Sequence, residues 1–414
     1  MPFFVLTQDN HTHFLANNPP PWGDNITSLP RQGEFTNTKW QDYQHVVLRL
    51  LATHSKRTLD PHKANACIIA SPIGTSECAA AKKALSHRIV ELGKRICPKR
   101  PIIVIDGPDA DGSNNAVCSA LWSTRTCQLG SKDALIRVSG SAPSILSELA
   151  HGLRRSECRR FPPTPYLSHS RSPRAAHFES TDVYAPRPLR VAYAAASWGH
   201  VDADAHGFLA WRKALRNACK EEFRIDPARC KWAWVSMSGN GAEKAMLQYW
   251  QADFCLQPPG DTLARQGIID SISLGCIPVL FHPAQVTLWP EHWNGKESSI
   301  LFDWTGGAPR PLRKNHSLYS DRAKYAMEQL RLLPNSELAR LREGVEIAAR
   351  RVTYGWDEKL SGFSDVNGDA VSVLVDQIER ARLEPSAAEE AGYARQITRR
   401  AYLFKAQQDK FPPK

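Results

Sequence analysis

Apolar residues along the chain fall into short continuous runs, separated by longer stretches in which they recur every three or four positions. Ala66-Cys67-Ile68-Ile69-Ala70 is one such run, closed by Ser71-Pro72. Residues 101–105 form another, which stops at Asp106-Gly107-Pro108-Asp109. Residues 189–195, 254–256 and 277–281 read the same way. Short apolar runs bounded by turn residues predict strands buried on both faces. Between them, Tyr43, Val46, Val47, Leu50 and Leu51 keep helical spacing, and residues 76–92 and 207–218 also read as helices. Two long helices, about 320–333 and 336–353, are split by Pro334-Asn335, and a charged helix is expected near 385–409. Strands alternating with helices predict an α/β fold built on parallel sheets.

The chain has 414 residues, more than one hydrophobic core usually serves. Composition suggests where it divides. Residues 1–38, rich in Asn, Pro, Gly and Thr, read as an irregular arm. Residues 159–188 carry Pro162, Pro163, Pro165, Pro173, Pro186 and Pro188 among many Ser and Arg, and read as a linker. That leaves an amino-side domain at 39–158, a carboxyl-side domain at 189–360 and a tail with a terminal helix at 361–414.

The net charge of +11 is dispersed, with small clusters at Arg154, Arg155, Arg159 and Arg160 and at Arg395, Arg399 and Arg400. No zinc-finger spacing or aromatic RNA-binding motif accompanies it, which argues against nucleic acid and leaves a solvated basic surface or a phosphorylated ligand. The ten cysteines include no Cys-x-x-Cys pair, so a zinc or thioredoxin-like reading is poor. Cys219 and Cys230 can form a local disulfide, whereas Cys255 and Cys276 sit in apolar strands and read as packing residues. Sequons at Asn10, Asn25 and Asn315 lean toward a secretory lumen, although no run of about 18 apolar residues marks an anchor.

The most informative stretch is 254–283. A strand ends at Gln257, Pro258-Pro259-Gly260 makes a stiff turn, and Asp261 or Thr262 can cap a following helix. Ile268, Ile269 and Ile272 bury one side of that helix, and Gly275 suits its carboxyl end. A helix N-terminus at the carboxyl end of a parallel strand offers N–H groups and a positive dipole end to a phosphate. Arg265, near the first turn, can grip a diphosphate. Asp270 can accept from ribose hydroxyls. The plain alternative is a βαβ unit with a surface Arg; neither a Walker loop nor a dinucleotide fingerprint is present.

This stretch resembles the signature of exostosin-family (GT47-like) glycosyltransferases, and most of all the plant-type branch that includes xyloglucan galactosyltransferases. The matching residues are Phe254-Cys255-Leu256-Gln257-Pro258-Pro259-Gly260-Asp261, Arg265, Asp270, Ser271, Gly275-Cys276-Ile277-Pro278-Val279 and Phe281-His282-Pro283. Gln266 stands where the family pattern has a second Arg. Weaker echoes lie at 54–66, 102–106 and 189–197 and at Arg212, Cys219 and Cys230, so the likeness spans roughly 40–355.

The resemblance implies a GT-B fold, two Rossmann-like domains with parallel sheets facing across a cleft. It implies an inverting enzyme that moves a sugar, galactose by branch likeness, from a UDP-sugar to a polysaccharide or glycan acceptor, without a cofactor or bound metal. Gly260, Asp261, Thr262, Arg265, Asp270, Ser271 and Arg212 would hold the nucleotide sugar. Asp106 would be the base, with His200 and His282 as further choices; Asp106-Gly107-Pro108-Asp109 is equally ordinary turn chemistry. Trp289 and Trp293 would stack on sugars or pack the core. The expected location is the Golgi membrane or lumen, alone or in an oligomer with another glycosyltransferase. The competing reading is a non-catalytic exostosin-like scaffolding subunit.

Overall fold

In a computed structural model of the chain, the strand runs resolve into two wholly parallel sheets. The structure describes residues 54–70, 93–98, 102–105, 135–138, 184–195, 208–235, 241–259, 263–305, 316–354 and 369–383, with a few isolated positions. The expected helices at 76–92 and 385–409 lie outside them, as does the one around 43–51 apart from Val47 and Leu51. Two units are present. One comprises Met1–Leu167, Arg171–Ala176 and Thr353–Glu379; the other comprises Ser168–Ser170, His177–Val352 and Arg380–Lys414.

The first unit's sheet runs β1 (Phe4–Val5), β2 (Cys67–Ala70), β3 (Ile102–Ile105) and β4 (Leu135–Val138), in that order. The expected runs at 66–70 and 101–105 are β2 and β3. Phe4 and Val5, inside the stretch read as an irregular arm, pair with Cys67 and Ile68 instead. A two-residue strand carries no periodicity, so pattern reading passes over it.

The second unit's sheet has the order β6-β5-β7-β8-β9, formed by β5 (Leu189–Ala195), β6 (Cys230–Trp234), β7 (Ala252–Gln257), β8 (Ile277–Leu280) and β9 (Ile300–Leu301). Every residue of β7 is buried, as its unbroken apolar run predicts for a central parallel strand. The crossovers are α1 (Phe208–Ile225), α2 (Gly241–Trp250) and α3 (Gln266–Ser273). On α1, Phe208, Trp211, Arg212, Leu215, Ala218 and Cys219 are buried at the helical period, which lays one face on the sheet. A short α4 (Gly295–Ser298) and two long helices follow, α5 (His316–Leu332) and α6 (Asn335–Val352), close to their expected bounds.

The α3 helix ends as Gly275 foretold. Gly275 has φ 70°, its N–H donates to Ile272 O at 3.0 Å, and Cys276 N–H donates to Ser271 O at 2.8 Å. This paired closure needs a left-handed residue, which glycine supplies without a Cβ clash. Cys219 and Cys230 form the local disulfide, with Cα atoms 5.3 Å apart. Cys255 and Cys276 are a disulfide as well, with Cα atoms 6.0 Å apart, rather than the packing thiols their apolar setting suggests. Adjacency of β7 and β8, invisible in the linear pattern, brings them together.

At the end of this sheet where β7 starts and α3 closes, one guanidinium gathers four carbonyls. Arg187 donates to Tyr249 O, Trp250 O and Ala252 O at 3.0–3.1 Å and to Leu274 O at 3.0 Å. Asp253, at the start of β7, pairs with Arg190 at 3.0 Å and with Arg342 of α6 at 2.6 Å.

Beyond α6 the chain continues in α7 (Ala370–Leu383), whose residues to Glu379 belong to the first unit. Asp369 caps it by accepting from Ser372 N–H at 2.9 Å. Lys56 reaches Glu379 at 2.9 Å. The sequence reading did not single out this helix, which the pattern Ala370, Val371, Leu374 and Val375 marks, and all four are buried. Among the described residues no helix is long and apolar enough to cross a membrane.

Candidate functional site

A ligand site in an open parallel sheet forms beyond the carboxyl ends of the two strands whose connections leave in opposite directions. Here those strands are β5 and β7, since β6 lies on one side of β5 while β8 and β9 continue beyond β7. Arg265 spans their ends. Its Nη1 donates to Pro258 O at 2.9 Å and its Nη2 to Ala194 O at 3.4 Å. Arg212, brought from α1 and buried, donates Nε to the next carbonyl, Pro259 O, at 3.1 Å. The structure therefore brings both predicted arginines to one turn, on consecutive carbonyls. A guanidinium has five N–H donors, so two bonds leave Arg265 with capacity for an anion.

Two buried tyrosines brace this pair. Tyr193 donates to Arg212 O at 3.1 Å and Tyr249 to Ala194 O at 3.2 Å. Burial pushes the Tyr193 hydroxyl up to about 12, against the opposing pull of Arg265 and Arg212, so it stays a neutral donor. Burial raises Tyr249 as well.

The α3 helix begins at Gln266, and Arg265 is its N-cap residue in an extended conformation, φ −129° and ψ 136°, without a side-chain cap. The sequence pattern had offered Asp261 or Thr262 for that position. The turn after β7 is longer than expected, because Leu263 and Ala264 are tucked into the core before the helix starts. The consequence is favourable for binding. The first turn of α3, with its positive dipole end, and the Arg265 guanidinium sit at the same end of the sheet.

Below this end lies a rigid polar frame. Gln257 Nε2 donates to Ser271 Oγ at 2.7 Å, and Ser271 Oγ donates to Gly267 O at 2.6 Å. Ser271 is fully buried, so it locks α3 to β7. Gln285, also fully buried, donates Nε2 to Gln257 O at 3.0 Å and Leu263 O at 3.2 Å, while its Oε1 accepts from the N–H groups of Phe281 and His282 at 3.1 Å. One amide thus joins the ends of β7 and β8 to the turn. Asp270 faces another partner: its Oδ1 accepts from Ser168 Oγ at 2.9 Å, with both residues buried.

His282 is buried against the edge of Phe208, ring centroids 6.4 Å apart. Burial holds its imidazole down at about 4, with a weaker upward pull from Asp303, so it is neutral near pH 7. Trp289 and Trp293 are core residues, 6.0 Å apart, and Trp293 Nε1 donates to Ser298 Oγ. They pack the interior and present no face to a sugar. Asp106, Asp109, His200, Gly260, Asp261 and Thr262 lie outside the described residues.

Residues 164–305, which contain β5 through β9 and this turn, match the model of the Exostosin GT47 domain. Those residues are similar to an exostosin GT47 domain. Similar proteins from Arabidopsis thaliana include xyloglucan galactosyltransferase MUR3, 28% identical over 152 residues covering 34% of this chain and 22% of the relative. The probable xyloglucan galactosyltransferase GT15 is 27% identical over 168 residues, 39% of this chain and 33% of the relative. Xyloglucan-specific galacturonosyltransferase 1 is 35% identical over 72 residues, 17% and 11% of the two chains. Each alignment spans a third or less of the relative's length. Among solved structures, the pneumococcal O-GlcNAc transferase GtfA in complex with UDP and GlcNAc aligns over 76% of this chain and 57% of its own, at 10% identity and a TM-score of 0.36. Anabaena Alr3699/HepE in complex with UDP and glucose aligns over 84% of each chain, also at 10% identity and 0.36.

Of the residues that the sequence singled out, Arg212 and Arg265 meet at this turn and Asp270 faces Ser168; Tyr193, Tyr249, Gln285 and Ser168 were not among them. Gln285 left one trace, a lone amide inside the apolar stretch from Phe281 to Trp289. The tyrosines left none, since their partners are backbone carbonyls of other elements.

Proposed function

We propose that the protein is a glycosyltransferase that binds a UDP-sugar at the β5–β7 end of its exostosin-like domain and transfers the sugar, with inversion, to a hydroxyl of a glycan acceptor. The observation that carries this reading is Arg265 spanning the ends of β5 and β7 beside Arg212 and the first turn of α3. In the proposed step the acceptor hydroxyl loses its proton to a base. Its oxygen attacks the anomeric carbon, and the bond from that carbon to the diphosphate oxygen breaks. Asp106 keeps the proposed role of base.

The departing UDP gains negative charge, and preorganised donors aimed at developing charge are where such sites gain most rate. Arg265, Arg212 and the N–H groups of α3 take that part, in place of a metal ion. Tyr193, Tyr249 and Gln285 hold these donors in position, and a fixed donor costs no reorganisation at the moment of reaction. The two described disulfides suit a lumenal compartment such as the Golgi.

The panel of donors begins with UDP-galactose and UDP-galacturonic acid, because similar proteins are named for each sugar. The two differ by a carboxylate, so one assay separates them. We expect UDP to raise the melting temperature and one UDP-sugar to release UDP in the presence of xyloglucan oligosaccharides. Arg265→Ala should lower kcat/KM by roughly 10²–10³-fold. Stabilisation by UDP without turnover of any sugar would leave a nucleotide-binding scaffold; no response to UDP at all would end the nucleotide-sugar reading.

A further inference from the structure

Two cysteines of the first unit, Cys67 and Cys97, are free thiols and fully buried. Cys67 opens β2. Cys97 lies in the turn that leads into β3, where its N–H donates to Gly93 O at 2.8 Å and its carbonyl accepts from Arg100 N–H at 3.2 Å. The strands β2 and β3 are parallel neighbours, with Cys67 opposite Ile102. The two thiols hydrogen-bond to one another.

The second unit repeats this arrangement in bonded form. Cys255 lies on β7, and Cys276 lies in the turn that leads into β8, its parallel neighbour. In both units one cysteine is on a strand and the other at the entry to the next strand of the sheet. A chain that carries the disulfides Cys219–Cys230 and Cys255–Cys276 matures where thiols are oxidised.

We propose that Cys67 and Cys97 are a disulfide site, closed during maturation into a bond that ties β2 to the entry of β3. The oxidant is a disulfide, either of an oxidoreductase or of a small thiol. The Cys97 thiolate attacks one of its sulfurs, forms a mixed disulfide and expels the other sulfur as a thiolate. Cys67 then gives up its proton and attacks Cys97 Sγ, expelling the second thiolate. Two electrons and two protons pass to the oxidant, and one S–S bond replaces another. The balance is the same whichever of the two thiols attacks first. Because both sulfurs are inaccessible in the folded unit, exchange occurs before β2 and the 93–98 segment close, and the finished bond resists reductants.

The test needs no assumption about activity. The full chain, secreted from a eukaryotic host, is denatured in iodoacetamide without reductant, digested with trypsin and mapped by mass spectrometry. We expect the 96–99 peptide to travel linked to the 64–82 peptide, with fragment ions placing the bond at Cys67 rather than Cys78. In the Cys67→Ser protein, Cys97 should become alkylated. Alkylation of Cys97 in the unreduced wild-type chain, or a link from Cys97 to any other cysteine, would overturn the assignment.

Discussion

At the scale of single residues, the site depends on side chains whose polar atoms have no slack. Gln285 makes four hydrogen bonds with none of its amide exposed. Gln285→Leu strands two backbone N–H groups and two carbonyls in the interior. Buried orphans of this kind cost about 1–3 kcal/mol each, so a loss of several kcal/mol is expected, read as a lower urea midpoint at unchanged slope. His282 gives a pH signature. Its imidazole titrates at about 4 when folded and at 6.5 in its unperturbed state. Above pH 6.5 both states are neutral and the stabilisation is complete. As pH falls from 6.5 toward 4, the unfolded chain binds a proton that the folded chain refuses, so stability is lost across that window. His282→Gln should lose about 2–3 kcal/mol less than wild type between pH 7 and 4.5. Equal losses in the two proteins would show that His282 is protonated when folded.

At the scale of elements, two glycines report how closely the layers approach. A Cβ on Gly344, in the middle of α6, would lie 2.3 Å from Glu297 O and 2.7 Å from its carbon, both backbone atoms of α4. A Cβ on Gly267, in the first turn of α3, would meet Gln257 Oε1 at 2.6 Å and Tyr249 Oη at 3.3 Å. Backbone cannot yield without moving a helix, whereas a side-chain amide can turn at the expense of its bond to Ser271. We expect Gly344→Ala to destabilise by about 3 kcal/mol and Gly267→Ala by about 1–2 kcal/mol, measured by urea denaturation. Gly267→Ala should also weaken UDP binding, since Gln257 and Tyr249 underlie the arginine turn. Elements of this kind were largely legible from the sequence. The strand at 189–195 has its expected bounds, and the runs at 66–70, 101–105, 254–256 and 277–281 became strands, because a buried parallel strand writes itself as an apolar run. What stayed hidden was pairing. Ser168 meets Asp270 from far along the chain, and Cys255 meets Cys276 only because β7 and β8 are neighbours. Neither contact alters the periodicity that sequence reading uses. Arg265 was found through its neighbours in the motif; its actual partners, Pro258 O and Ala194 O, are backbone groups that no residue identity announces.

At the scale of the whole molecule, each of the two units carries its own parallel sheet, and the exostosin match covers the greater part of one of them. In that second unit the crossover helices run counter to the strands, so each helix delivers partial positive charge to the site end and partial negative charge to the other. The four carbonyls collected by Arg187 come from the closing residues of α2 and α3 and the first residue of β7. Arg187 is therefore a counter-ion lodged at the negative pole, where it cancels a field that would otherwise oppose compact packing of α2 beside α3. Its removal should leave the arginine turn intact but separate the two poles less cleanly. Arg187→Met is expected to lower the melting temperature by several degrees, with the loss shrinking as salt rises from 50 to 500 mM, while UDP affinity at the positive pole changes less than twofold. The unit is thus an oriented dipole, held neutral at its base and left open to an anion at its tip.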